Sequence, residues 1–162
     1  MAVSTHKSRK EVAVNRKALR DFHVISRLEA GIELRGSEVK SVRAGGVNLT
    51  GSHARLEGAE LMLHGMNIAA YEHASEFVPE PERPRRLLLH GFEINKIAGS
   101  LRKKGYAAVP LMVYFRRGLV KIEIGLCRGK KEHDKRETLK RREADREARR
   151  AVSRALGRRQ KT

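Results

Sequence analysis

Over residues 22–34 apolar and polar positions alternate. Phe22, Val24, Leu28, Ala30, Ile32 and Leu34 share one parity, and His23, Arg27, Glu29 and Glu33 share the other. Period-2 alternation of this length predicts a long half-buried strand, with Gly31 as a place to bend. Residues 37–44 switch to helical spacing. Val39 and Val42 lie three apart, Ser37 is a candidate cap, Gly45 and Gly46 stop the helix, and Lys40 and Arg43 fall on its outer face. Two shorter strands are predicted over 52–56 and 61–68, turning at residues 57–60. Residues 71–84 are polar, hold Pro79, Pro81 and Pro84, and predict a loop. An apolar run at 86–90 enters a second helix with Ile94, Ile97, Ala98 and Leu101 inward and Lys96, Arg102, Lys103 and Lys104 outward, ending at Gly105. Val109, Leu111, Val113 and Phe115 alternate, Arg117 and Gly118 turn, and Val120, Ile122, Ile124 and Leu126 alternate again, which is the pattern of a hairpin. Strands and helices do not alternate as a three-layer α/β fold requires. The expectation is a mainly β fold, a small antiparallel barrel over residues 21–127, closed so that no long edge is left exposed.

The flanks follow another grammar. Residues 1–20 show no apolar period and are expected to form a flexible basic arm. After Gly129 neither Gly nor Pro occurs until Gly157, and strong helix formers dominate. Asp134 and Glu137 have the spacing of a capping box. The stripe Ala144, Ala148, Ala151 and Ala155 is made of methyl groups, too little apolar area to offset ordering the segment. Residues 128–162 are therefore expected to be disordered alone and helical when docked on phosphates.

Charge sharpens this division. The 162 residues carry 36 Lys and Arg against 19 Asp and Glu, a net +17. Residues 1–20 hold six basic and one acidic residue, residues 21–127 hold 15 and 12, and residues 128–162 hold 15 and six. Basic flanks on a near-neutral body point to a polyanion, nucleic acid ahead of membrane. No apolar run approaches the ~20 residues of a membrane helix. The opening residues lack the apolar stretch of a secretory signal. Cys127 has no second cysteine to pair with, which suits a reducing compartment. A cytoplasmic location is expected.

Candidate chemistry is sparse. The seven histidines show no ligand spacing, and Cys127 with His133 supplies only two potential metal ligands. The run from Gly125 to Gly129, followed by Lys130 and Lys131, is one residue short of a P-loop and lacks its hydroxyl. Glu29 and Glu33 share an outward parity without a nucleophile or metal cluster. Neither enzymatic activity nor a cofactor is expected, although a nuclease working through Glu29 stays open as an alternative. Three Tyr, four Phe and no Trp give little for stacking on single strands, so structured RNA read by shape and backbone fits better. An adaptor for another RNA, such as a ribosomal protein with a basic extension, is the other alternative.

Several runs, in order along nearly the whole chain, resemble one family. They are Asn15-Arg16-Lys17-Ala18, Glu29-Ala30-Gly31, the segment from Gly36 to Gly45 reading GSEVKSVRAG, Asn48-Leu49, Tyr71-Glu72-His73, RLLLH at 86–90, Gly129-Lys130-Lys131 and His133-Asp134-Lys135-Arg136. Together they resemble the SsrA-binding protein, or small protein B, family. Gly46 departs from a usual basic residue, and Gly51 and His53 from an acidic residue and Tyr. The resemblance implies a barrel related to the oligonucleotide-binding fold, flanking helices and a basic tail. It also implies binding to the tRNA-like domain of transfer-messenger RNA and delivery, with elongation factor Tu, to the A site of stalled ribosomes. The family's members are not enzymes. It places Asn15, Arg16, Lys17, Glu29, Lys40, Arg43 and Leu88 on the RNA-binding side. Gly129, Lys130, Lys131, His133, Asp134, Lys135 and Arg136 fall on the segment that meets the decoding centre and mRNA channel. One protein per RNA, with no membrane partner, is expected.

Overall fold

The computed structural model describes residues 9–73 and 78–159, the side chains of residues 132, 133 and 155–159 excepted. Residues 1–8 of the expected arm, 74–77 of the expected loop and 160–162 of the tail lie outside the described residues. The chain divides between Gly129 and Lys130 into two compact units.

The first unit contains β1 (Arg9–Val14), α1 (Arg16–Asp21), β2 (Phe22–Ile32), α2 (Gly36–Arg43), β3 (Val47–Asn48), β4 (His53–Glu57), β5 (Glu60–His64), β6 (Asn67–Ile68), β7 (Arg85–Leu88), α3 (Gly91–Leu101), β8 (Tyr106–Arg116) and β9 (Leu119–Gly129). The second is one helix, α4 (Glu132–Arg159). Hydrogen-bonded neighbours run β8–β4–β5–β7–β2–β9 and return to β8, so six antiparallel strands close a small barrel. β1 extends the edge of β8 beyond β4, and β3 pairs with β6 in a separate ribbon. The fold is mainly β, an antiparallel barrel with flanking helices.

Three register shifts explain where the alternation pattern misplaces side chains. In β8 the shift falls between Pro110 and Met112. Pro110 has no amide to give the ladder, and the extra residue exchanges the two faces. Val113 and Phe115 therefore join Ala108 in the barrel core, while Val109 and Leu111 pack with Ala18 and Cys127 in a second cluster. The sequence expectation of one shared face for these four positions is corrected accordingly. In β2 the shift lies between Val24 and Ser26 rather than at Gly31. Leu28, Ala30 and Ile32 face the barrel core, and Phe22 and Val24 face the second cluster. Gly31 serves close approach instead, since a Cβ there would sit 3.1 Å from Cβ of Leu88. The third shift, between Glu11 and Ala13, lets neighbouring Val12 and Ala13 both reach the core. A bulged strand shows no period 2, and for that reason residues 9–20 read as an arm in the sequence. They form β1 and α1 of the body.

Helix α2 begins at Gly36, with Arg35 rather than Ser37 at the N-cap, two residues earlier than its pattern suggests. Glu38 closes this end by accepting the Arg35 amide at 2.7 Å. At the other end the Gly46 amide donates to Ser41 O and that of Gly45, at φ +86°, to Val42 O, the paired bonds of a Schellman stop. Glu38 also receives the guanidinium of Arg85, whose Nε and Nη2 lie 3.0 and 2.8 Å from Oε1, and that of Arg83, with Nη2 2.6 Å from Oε2. Arg85 is 1% exposed and spends its remaining donors on Met66 O, Arg83 O and Pro81 O. One buried ionic cluster thus fastens α2, β7 and the segment at residues 81–84 around the barrel.

Removing one member of a buried ion pair strands the other in a medium that solvates it poorly, at a cost of about 3–5 kcal/mol. Glu38→Gln keeps the shape and loses the charge, so its unfolding free energy in a denaturant melt is expected to fall by that amount at neutral pH. Burial tends to raise the Glu38 pKa, but the bonds from Arg83, the Arg35 amide and Arg85 outweigh it and hold the carboxyl below its ordinary 4.5. A depressed folded pKa means the unfolded chain binds more protons in the acid range. The contribution is therefore complete above the ordinary value and lost as pH falls through the lowered one. Melts between neutral pH and pH 3 are expected to show a shallower acid decline for Glu38→Gln than for the parent.

Candidate nucleic-acid interface

Asn15 stands where β1 ends and α1 begins, and it is 4% exposed. Its Nδ2 donates to Leu49 O at 3.1 Å and Pro110 O at 2.9 Å, and its Oδ1 accepts the Ala18 amide at 3.0 Å. The Asn15 amide donates to Leu111 O. The side chain caps α1 and occupies the bulge of β8. It thereby positions Arg16 and Lys17, both exposed in the first turn, and has no donor left for a ligand.

Glu29 lies on the outer face of β2, half-buried and opposite Glu123 of β9. It accepts from the Tyr114 hydroxyl and from Arg116 Nη1 at 2.7 Å, and Arg9 Nη2 is 3.6 Å away. The Arg9 guanidinium covers the Tyr114 ring at 4.7 Å. Arg9 Nη1 also reaches Glu123 at 3.7 Å, and Arg27 Nη1 reaches it at 2.5 Å. Burial raises the Glu29 pKa, yet the bonds from Tyr114 and Arg116 and the nearby charges of Arg116 and Arg9 bring it below the ordinary value. Burial and the Glu29 bond push the Tyr114 hydroxyl upward. A carboxylate kept ionised among donors is a poor general acid and a weak base. Glu33, the second acid of that parity, is exposed and paired with Arg86 at 3.0 Å. Among the described residues no group of three potential ligands could hold a metal. Cys127 is fully buried, and its thiol is pushed up to about 11 by that burial, which leaves an inert packing residue.

Lys40 and Arg43 are exposed on α2. Lys40 Nζ lies 5.7 Å from the Tyr71 ring and the Arg43 guanidinium 5.6 Å from that of Phe115, so each charged head stands over an aromatic face. Leu88 is 47% exposed while its neighbour Leu87 is buried, a division that alternation along β7 explains. The triple-leucine run invites a core reading of all three; Leu87 lies in the core and Leu89 packs against it half-buried, while Leu88 faces out. What sequence reasoning missed is the shell around Glu29. Tyr114 and Arg116 share the parity opposite to Val113 and Phe115, a usable signal once the β8 bulge is known.

In the second unit the Lys135 amide bonds to Lys131 O, so α4 begins two residues before the Asp134 start that its sequence suggests, and it runs through Gly157. Lys130 Nζ lies 3.2 Å from Thr138 Oγ1, and Thr138 Oγ1 donates to Asp134 O at 2.8 Å. Lys131 and Arg136 are exposed and Lys135 is half-exposed. His133 belongs to the helix, and its side chain is outside the described set. Ala144, Ala148 and Ala151 are exposed along one stripe. Gly129 ends β9 opposite Phe22 and belongs to the body.

A closed antiparallel barrel with cations raised on short helices, followed in the chain by a strongly basic helix, defines a small β-barrel protein suited to a polyanion. Comparison with known proteins narrows this. The family described as SmpB protein matches residues 12–154. An SsrA-binding protein of Carboxydothermus hydrogenoformans is 50% identical over 88% of this chain and 96% of its own length. One of Caldanaerobacter subterraneus subsp. tengcongensis is 52% identical over 85% and 87%. A solved structure described as "tmRNA-SmpB: a journey to the center of the bacterial ribosome" matches with a TM-score of 0.65 and 44% identity, covering 80% of this chain and 94% of that one. The chain belongs to the SmpB family.

Asn15→Ala removes a cap worth ~1 kcal/mol and leaves Pro110 O without its donor inside the body, at ~1 kcal/mol or more. Leu49 O keeps the Ser52 amide and hydroxyl. The variant is expected to lose about 2 kcal/mol in a denaturant melt and to keep native circular dichroism.

Proposed function

We propose that this protein binds the tRNA-like domain of transfer-messenger RNA and carries it to the A site of stalled ribosomes for trans-translation. The observation that carries this reading is the close likeness, over most of both chains, to SsrA-binding proteins and to the protein of a tmRNA-SmpB structure. In this reading the body takes the RNA. Arg16, Lys17, Lys40 and Arg43 neutralise phosphates, Glu29 accepts from a base amine or ribose hydroxyl, Leu88 gives an apolar contact, and Asn15 holds the start of α1 in place. Gly129, Lys130 and Lys131 lead into the tail. His133, Asp134, Lys135 and Arg136 meet the decoding centre, and the rest of α4 lies in the empty mRNA channel. Elongation factor Tu accompanies one protein and one RNA in delivery, which takes place in the cytoplasm. The protein acts as an adaptor without catalysis or cofactor. The hydrolase alternative loses ground, because Glu29 is held by Tyr114 and Arg116. The tail is disordered alone and helical on the ribosome, a reading supported by its exposed alanine stripe.

The test is to sequence the RNA that co-purifies with the protein from bacterial cells. One long tRNA-like RNA is expected, and ribosomal RNA without it overturns the reading. Affinity for the tRNA-like transcript is expected to fall with salt by about 0.9 (duplex) or 0.7 (single strand) in log–log slope per phosphate neutralised. Lys40→Ala with Arg43→Ala should flatten that slope by about one to two.

The tail is tested separately. A stop after Gly129 keeps β9 complete and is expected to preserve RNA binding while abolishing peptide tagging on stalled ribosomes. Ala148→Pro costs ~3 kcal/mol in a helix interior and should do the same less completely. His133→Ala is expected to lower tagging and spare RNA binding. Normal tagging by the proline variant would mean that the tail works as a string of charge.

A further inference from the structure

Phe92 is 72% exposed, the most open large apolar side chain among the described residues. It sits in the first turn of α3, and its ring lies nearly parallel to that of His90, with centroids 5.7 Å apart and planes 8° from each other. Beside it α3, the middle of β2 and Leu126 of β9 line an open cavity of about 170 Å³ whose apolar lining includes Leu28, Ile97 and Leu126. Arg27 and Lys96 stand at this cavity, Lys96 one turn along α3 from Phe92. Its one carboxylate, Glu93, accepts the His90 amide at 2.9 Å.

Core packing does not account for Phe92, since nearly three-quarters of it faces solvent. Membrane insertion is disfavoured by the single ring, and a protein-docking surface by the small apolar area around it. The arrangement fits a flat partner carrying negative charge. A ring already stacked on one side offers its π-face to another planar group, and the Lys96 ammonium beside it suits a phosphate flanking that group, whereas Arg27 is bonded to Glu123. Leu88, assigned to the RNA-binding side above, is exposed two residues before His90 in the chain.

We propose that Phe92, backed by His90, is a stacking platform for an unpaired base of the bound RNA, with Lys96 meeting an adjoining phosphate. The proposal rests on the RNA-binding reading above and adds a base contact to it, at a position that the family resemblance does not assign.

The chain has no Trp, so Phe92→Trp places a single indole at the platform and retains a stacking ring. Its emission is followed while a transcript of the tRNA-like domain is added, and a mobility shift records binding independently. Quenching that saturates together with the shift is expected. Phe92→Ala and Phe92→Leu should each weaken binding by about 5- to 150-fold, the range for one stacked base, while Phe92→Trp binds like the parent. His90→Ala should weaken it less. A full shift with unchanged indole emission, or parent-like binding by Phe92→Leu, overturns the platform and leaves the RNA reading standing. An emission change that follows protein concentration without RNA also overturns it, in favour of contact between copies. A parent that fails to shift the transcript overturns the RNA reading and the platform together.

Discussion

Strand β8 has three neighbours and two edges, and the break between Pro110 and Met112 lets it serve them all. One edge pairs with β9 throughout. The other holds β4 at Ala108 and, past the break, β1 from Met112 to Arg116. Between these two partners Asn15 donates to both Pro110 O and Leu111 O, one bond from its side chain and one from its amide. A buried carbonyl left unpaired costs as much as several favourable contacts return, so the bond fixes β1 and α1 in a single register. That register sets Arg9 opposite Arg116 and over Tyr114, which is where the Glu29 cluster arises. The outer polar surface is a consequence of how the barrel closes.

The same break limits what the sequence reveals. Stretches with unbroken periods were legible: β2 past its bulge, the paired strands β4 and β5, α3, and the two arms of the β8–β9 hairpin around its Arg117-Gly118 turn at φ 50° and 75°. Each shifted register hid something. Val12 beside Ala13 concealed β1, and the face exchange at Pro110 concealed the company of Glu29. Of the candidate site, the cations of α2 were readable because helical spacing puts them outward, whereas those of α1 came only from the family resemblance. The burial of Asn15 was not readable, because it depends on two carbonyls 34 and 95 residues away. Glu38 lies inside the most recognisable run of the chain and Arg85 stands just before another, and the structure makes them braces. A strongly patterned segment therefore mixes groups that hold the fold with groups that face a ligand, and burial tells them apart.

The division of labour extends to the two kinds of cation. The described ion pairs of the body are made by arginines, namely Arg9, Arg20, Arg27, Arg55, Arg83, Arg85, Arg86 and Arg116, with His64 alongside. A planar fork can meet a carboxylate and several carbonyls at once, as Arg85 does, whereas an ammonium is a compact and strongly hydrated charge. Much of the body's arginine is thus committed internally, and residues 21–127, with 15 cations against 12 acids, carry little net charge. The charge that can be offered outward is held by exposed side chains on α1 and α2, by Lys96 on α3, and above all by residues 128–162, where 15 cations face six acids. Closure of the barrel consumes charge to fix geometry, and the helices and tail keep theirs for a partner. An RNA adaptor needs both, since phosphate contacts supply affinity and only a rigid frame gives them a fixed register on the nucleic acid.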